Sequence, residues 1–506
     1  MADGITRRHL VVGTGGMVAA GSIGVGVRAA ALPQDDAMLE LSAVDAVGAM
    51  RRGEIRAEAY AQALLARAKQ CAALNAFISF DADQVLAAAR AADLKRASGA
   101  ALGALHGLPI PIKDSVNTKD YPTTGGTPAL RYFRPESDAP LVHTLRMAGA
   151  IAMGKTNLHE LSFGWTSNNL AYGAVHNPYD ATRVPGGSTG GTAAAIAARI
   201  APLGVAEDTE GSIRVPAALC GIVGFRPTTG RYPTTAVVPI TPLFDQIGPH
   251  ARSVADAALF DAVVTGDAKP IVPVALAGLR LGVDRGFFEG LDGEVERVTN
   301  EALKRLRAAG VVIVEAPVAQ LRDLIAKTTG PIQLHDVVPS LVHYLFEYDT
   351  GIHYEELIAQ ASDDIKAIFA SFVLPGSPYH VSEEAYAAAR DVHLPALRDA
   401  FKRWFADNRV AAMVFPTTRI PAARIGQQQV EIGGAQVPYN DAISRNIASG
   451  STAGLPCLVL PAGMTKDGLP VSLELDGPSG HDREMLALGL AVERLLDRLP
   501  PPRFGA

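Results

Sequence analysis

Between residues 164 and 192 the chain loses hydrophobic periodicity and fills with Gly, Asn and Pro. The stretch ends in Pro185-Gly186-Gly187-Ser188-Thr189-Gly190-Gly191. A long irregular segment in a compact domain is commonly functional, and glycines permit backbone shapes and close ligand approach that other residues resist. Regular structure resumes at once. Thr192 to Ile200 is Ala-rich and helical, Pro202 ends it, and Leu203-Gly204-Val205-Ala206 reads as a buried strand. Residues 207 to 214 form a polar turn, and Pro216 suits the first turn of a further helix. The fold must therefore hold a glycine- and hydroxyl-rich loop beside a strand–turn–helix unit. No Gly-Lys-Ser/Thr follows, so the loop is not a phosphate loop. Gly186 to Gly190 matches G-x-S-x-G, yet the strand required before a nucleophile elbow is missing from Tyr179 to Pro185.

Elsewhere strands alternate with helices, which makes the class α/β. Apolar spacing predicts helices over 38–50, 57–71 and 82–97. Gly107 to Lys113 is an apolar run ending in a lysine, as in a buried strand entering a polar site. A helix over 138–149 and a strand over 151–153 follow. Past Leu279–Val283, Asp292 can cap a helix closed by Gly310, and Val311–Val314 is another strand. Residues 318 to 408 are mostly helical and carry no visible catalytic motif. Residues 411–415 and 457–460 look like buried strands, and the last helix covers about 482–497. The expectation is one domain over 32–506 with a helical insertion at about 318–408.

Residues 1–31 read as a twin-arginine export signal. Arg7-Arg8 precedes a weakly apolar middle with six glycines and an Ala29-Ala30-Ala31 end. Such a middle is too weak for a stable membrane span. Gly13, Gly15 and Gly16 also match a nucleotide loop in part, but the flanking strands are missing. Export implies a bacterial periplasmic enzyme. The 506 residues carry 46 Lys+Arg against 52 Asp+Glu, a net charge of −6, which argues against nucleic-acid binding. Cys71, Cys220 and Cys457 lie too far apart for a disulfide framework or a CxxC zinc site. His159-Glu160 lacks the second histidine of H-E-x-x-H, so no metal or cofactor is expected.

Ser212 sits where a strand gives way to a helix. A serine there can attack a carbonyl while neighbouring N–H groups hold the oxyanion. Taken alone, it reads as a helix N-cap, with Asp208 and Arg214 as a structural pair. None of the twelve histidines sits in a recognisable motif. A desolvated lysine can serve as base instead, and Lys113 is the candidate; alone it reads as a solvated strand-end lysine.

Together these segments resemble the amidase signature family. The resemblance rests on Gly186 to Gly191, Pro202-Leu203-Gly204, Asp208 to Pro216, Cys220-Gly221 and Gly224 to Thr228, with the two serines 24 positions apart. It extends through Lys155-Thr156-Asn157, Gly454-Leu455-Pro456 and Leu460 to Gly463. Glu207-Asp208-Thr209, Arg231-Tyr232-Pro233 and Phe244 to Pro249 look most like the indoleacetamide and mandelamide hydrolase branch. The resemblance implies a mixed sheet covered by helices on both faces. It also implies a Ser–cis-Ser–Lys triad of Ser212 as nucleophile, Ser188 after a cis bond from Gly187, and Lys113 as base. The oxyanion hole would be the backbone N–H groups of Thr209, Glu210, Gly211 and Ser212, with Thr189, Asp208 and Arg214 in support. Where the family commonly has glycine, this chain has Glu210, and its carboxylate is expected to face outward.

The implied reaction is hydrolysis of an aryl or arylalkyl amide through an acyl-enzyme. The same triad could take a carbamate, anilide, ester or nylon-type oligomer, and a non-catalytic binding homologue is a further alternative. Residues 164–172, 233–246 and 318–408, including Phe244, Tyr344 and Phe346, are the expected pocket walls. The partner is a small-molecule amide or carbamate, and a homodimer is left open.

Overall fold

The computed structural model describes residues 34–503. The proposed export signal lies outside them. One eleven-stranded sheet organises the chain: β1 (Phe77–Ser79), β2 (Pro109–Lys113), β3 (Ile151–Thr156), β4 (Leu203–Asp208), β5 (Val223–Arg226), β6 (Gln246–Ala251), β7 (Arg280–Val283), β8 (Val312–Glu315), β9 (Ala412–Pro416), β10 (Cys457–Met464) and β11 (Pro470–Asp476). Across the sheet the order is β1-β3-β2-β4-β6-β5-β10-β11-β9-β7-β8. It is mixed: β3, β2 and β4 run parallel, β4 through β9 pair antiparallel, and β9, β7 and β8 are parallel again.

The α/β reading holds, and most expected elements are present. Helices cover Ala43–Arg52, Ala57–Gln70 and Ala82–Ala97. Asp292 caps Gly293–Ala308 through the N–H groups of Glu294 and Val295. Strands β1, β5, β6 and β11 and the hairpin Gln429–Pro438 fall outside the expected strands. The region over 318–408 opens with a long helix, Leu321–Glu347, containing Pro331 and Pro339.

The helix Gly190–Ala197 is wholly buried. Small side chains let it press onto the sheet. A Cβ on Gly204 of β4 would stand 2.5 Å from Thr192 Cγ2, so that approach requires glycine. Leu203 and Val205 of β4, Ile110 and Ile112 of β2, and Leu458, Leu473 and Leu475 share one apolar core with this helix. The neighbours β2 and β4 run in the same direction, with Ile112 opposite Val205. Lys113 and Glu207-Asp208 therefore emerge at one edge of the sheet, at the carboxyl ends of parallel strands, where open α/β sheets place their ligands.

Candidate active site

Lys113 ends β2 with its side chain fully buried. Its Nζ lies 2.7 Å from Ser188 Oγ. The Gly187–Ser188 peptide bond is cis. Thr189 Oγ1 donates to the Glu207 carbonyl at 3.0 Å, which fastens the loop to the end of β4. On the other side of Lys113 Nζ stands the Glu207 carboxylate, with Oε2 at 2.6 Å.

Ser212 lies in the turn between β4 and the helix Arg214–Cys220. Asp208 shapes that turn. Its carboxylate accepts the N–H of Gly211 at 2.7 Å and of Ile213 at 3.0 Å. Arg214 Nε is 3.2 Å from Asp208, and Arg226 Nε is 3.4 Å away. Burial alone would raise the Asp208 carboxyl, but these two guanidinium groups outweigh it and hold it well below the ordinary carboxylate range. Arg214 also reaches Glu474 at 2.6 Å and the Ile447 carbonyl at 2.9 Å. Among the described residues, Cys457, Glu474 and Asp476 bring ligand-type atoms within 4.8 Å of one another, but Arg214 already supplies the cation there.

Two expectations for the turn change. The Gly211 N–H is committed to Asp208, so the backbone donors left for an oxyanion are those of Thr209, Glu210 and Ser212. Glu210 is not free in solvent but packs towards the helix Leu321–Glu347. Its half-buried carboxylate accepts from Gln333 Nε2 at 2.9 Å, and its carbonyl accepts from Trp165 Nε1 at 2.7 Å. Burial pushes the Glu210 carboxyl up to about 7, opposed by the Gln333 hydrogen bond.

His250, on β6, was also missed. Its Nε2–H donates to the Ile213 carbonyl at 2.7 Å, because a carbonyl can only accept. Burial lowers its pKa to about 4, so the ring is neutral. Of the expected pocket walls, Phe244 is buried against Ile332, Ala389 and Leu394. Tyr344 is buried and donates its hydroxyl to Asn117 at 2.6 Å. Phe346 is 84% exposed.

The amidase family model matches residues 59–486. The chain belongs to the amidase family. This amidase is 37% identical over 450 residues to an indoleacetamide hydrolase of Agrobacterium vitis, covering 88% of this chain and 95% of that one. It is 35% identical over 482 residues to a mandelamide hydrolase of Pseudomonas putida, covering 93% and 94%. A crystal structure of an amidase superposes with a TM-score of 0.79 at 30% identity, over 90% of this chain and all of that one. The amidase is thus a hydrolase of amide C–N bonds. Glu207, Asp245, His250 and Gln333 are the site neighbours that motif matching passed over. Glu207 and Asp245 lie within the runs that carry the resemblance, Glu207-Asp208-Thr209 and Phe244 to Pro249.

Proposed function

We propose that this amidase hydrolyses an aryl or arylalkyl carboxamide to the acid and ammonia or an amine, with Ser212 as nucleophile, Ser188 as bridge and Lys113 as base. The observation that carries it is the 2.7 Å contact between Lys113 Nζ and Ser188 Oγ in a fully buried setting. Ser212 Oγ attacks the carbonyl carbon. Its proton passes to Ser188 as the Ser188 proton passes to Lys113. N–H groups of Thr209, Glu210 and Ser212 stabilise the oxyanion. The proton returns through Ser188 to the departing nitrogen, and water then releases the acid from Ser212. The substrate class is supported by the two relatives, whose names specify amides bearing an aromatic ring near the carboxamide.

The test is turnover of indoleacetamide, mandelamide, an aliphatic amide, an ester and a carbamate by the full chain and by Ser212→Ala. Aromatic amides are expected to be preferred, and Ser212→Ala to lose about 10⁴-fold or more in kcat. Turnover that survives in Ser212→Ala would remove Ser212 from the mechanism. Export to the periplasm, supported by the Arg7-Arg8 pattern, is part of the same proposal.

A further inference from the structure

Lys113 has a second partner that the serine relay does not use. Glu207 Oε2 is 2.6 Å from Nζ, and both side chains are buried. The carboxylate also accepts from Ser162 Oγ at 3.3 Å. Its other oxygen lies 3.1 Å from Thr209 Oγ1, which lies 2.6 Å from Asp245 Oδ1. One hydroxyl has one proton, so Thr209 cannot donate to both carboxylates. Both contacts are satisfied when Asp245 carries a proton, donates it to Thr209, and Thr209 donates to Glu207. Asp245 suits this while Glu207 is still ionised: burial and the neighbouring Glu207 carboxylate raise its carboxyl to about 7. The other charges nearby are already paired, Asp114 with Lys155 and Asp208 with Arg214 and Arg226, and His250 is neutral.

A buried ammonium cannot accept a proton from Ser188, and two buried charges keep a desolvation cost that a neutral pair avoids. We infer that Lys113 and Glu207 share one proton, and that Glu207 is the positioning residue that takes it; rotation about Cε–Nζ then turns the freed lone pair from Glu207 towards Ser188 for the chemical step. The N–H bond breaks at Nζ and the O–H bond forms at Glu207 Oε2. During attack the Ser188 proton arrives on Nζ, and it returns when the leaving nitrogen is protonated. The pair ends with the protons it began with, and no outside acid or base enters. This inference rests on the triad reading above.

The test is the pH dependence of kcat/KM in the full chain, in Glu207→Gln and in Glu207→Asp. The native pair stays competent until it gains a second proton. In Glu207→Gln the lysine alone must be deprotonated, so the acid limb is expected to move to higher pH. Below the shifted limb, kcat in the same variant is expected to fall about 100-fold, as for loss of general-base assistance, with KM unchanged. A carboxylate that only stabilised the ammonium gives the opposite sign, because its removal lowers the lysine's affinity for a proton. A limb that moves down or stays in place would overturn the inference, as would a change in KM with kcat held. Circular dichroism checks folding. Should Glu207→Gln not fold, Glu207→Asp keeps the proton acceptor and is expected to lower kcat with the limb in its native place; a limb moved upward would overturn the inference. Asp245→Asn is expected to retain the limb, and loss of the limb there would assign it to Asp245 instead. Activity surviving in Ser212→Ala sinks the triad itself, whereas an inactive Ser212→Ala with a downward shift in Glu207→Gln sinks only the shared proton.

Discussion

The carboxylate of Glu210 accepts a hydrogen bond from the carboxamide of Gln333 at 2.9 Å, which ties the turn carrying Ser212 to the long helix Leu321–Glu347. Glu210 is two positions from the proposed nucleophile, and its carboxyl is raised to about 7. Above that pH it is ionised and opposes a developing oxyanion. We expect kcat to fall as pH rises through about 7, and this limb to disappear in Glu210→Gln. Stability follows the same group. The folded carboxyl holds its proton up to about 7, while the unfolded one releases it near its ordinary value, so stability is lost as pH rises between them. Glu210→Gln is therefore expected to raise Tm more at alkaline than at acid pH. A kcat profile in Glu210→Gln with the native limb intact would refute the assignment.

Asp208 has the reverse sign. Its carboxyl is held below the ordinary range by Arg214 and Arg226, so its contribution is complete above about pH 4 and fades as pH falls through the depressed folded value. Asp208→Asn leaves two buried arginines short of an anion and the Gly211 N–H with a weaker acceptor. Breaking a buried pair in this way costs about 3–5 kcal/mol. Urea unfolding measures the loss. The gap between the two proteins is expected to narrow as pH is lowered, and a gap that widened would contradict the linkage.

Much of this site was legible because it is built from local patterns. Ser188 sits in a glycine run, Ser212 at a strand-to-helix turn, and Lys113 at the end of an apolar run. What was not legible depends on long-range partners. Glu207 meets Lys113 94 positions away, and Gln333 meets Glu210 across 123 positions. Nothing in Gln333's own neighbourhood separates it from any polar residue on a helix. The fold shows the same division. Asp292 caps its helix because the signal is three residues long. Strand β6, Gln246-Ile247-Gly248-Pro249-His250-Ala251, has no apolar alternation, and it exists because β4 and β5 pair with it on either side.

Export gives a separate prediction. Replacing Arg7 and Arg8 together by lysine is expected to keep the full chain in the cytoplasm of a bacterium with a twin-arginine pathway. Cell fractionation against a periplasmic marker reads this directly. Equal periplasmic recovery of both proteins would dismiss the signal.

Gly211 offers the sharpest structural test, because two independent penalties meet there. Its φ is +92°, where side chains are strained, and a Cβ would stand 2.2 Å from Ile447 Cδ1, itself fully buried. The backbone term costs about 1–3 kcal/mol, and overpacking of a filled site adds about 1–3 kcal/mol. Gly211→Ala is expected to lose both. Ile447→Val removes the clashing methyl group but leaves φ unchanged and keeps Cβ and Cγ1 at 3.1 Å, so Gly211→Ala combined with Ile447→Val should recover most of the packing part and none of the backbone part. Urea unfolding of the three variants separates the terms. Activity should fare worse than stability in both Gly211 variants. The Gly211 N–H anchors the turn to Asp208, and a small tilt there displaces the N–H groups of Glu210 and Ser212 from the oxyanion. Full recovery of kcat in the double variant would show that the turn tolerates the tilt, and that Gly211 serves packing rather than geometry at the nucleophile.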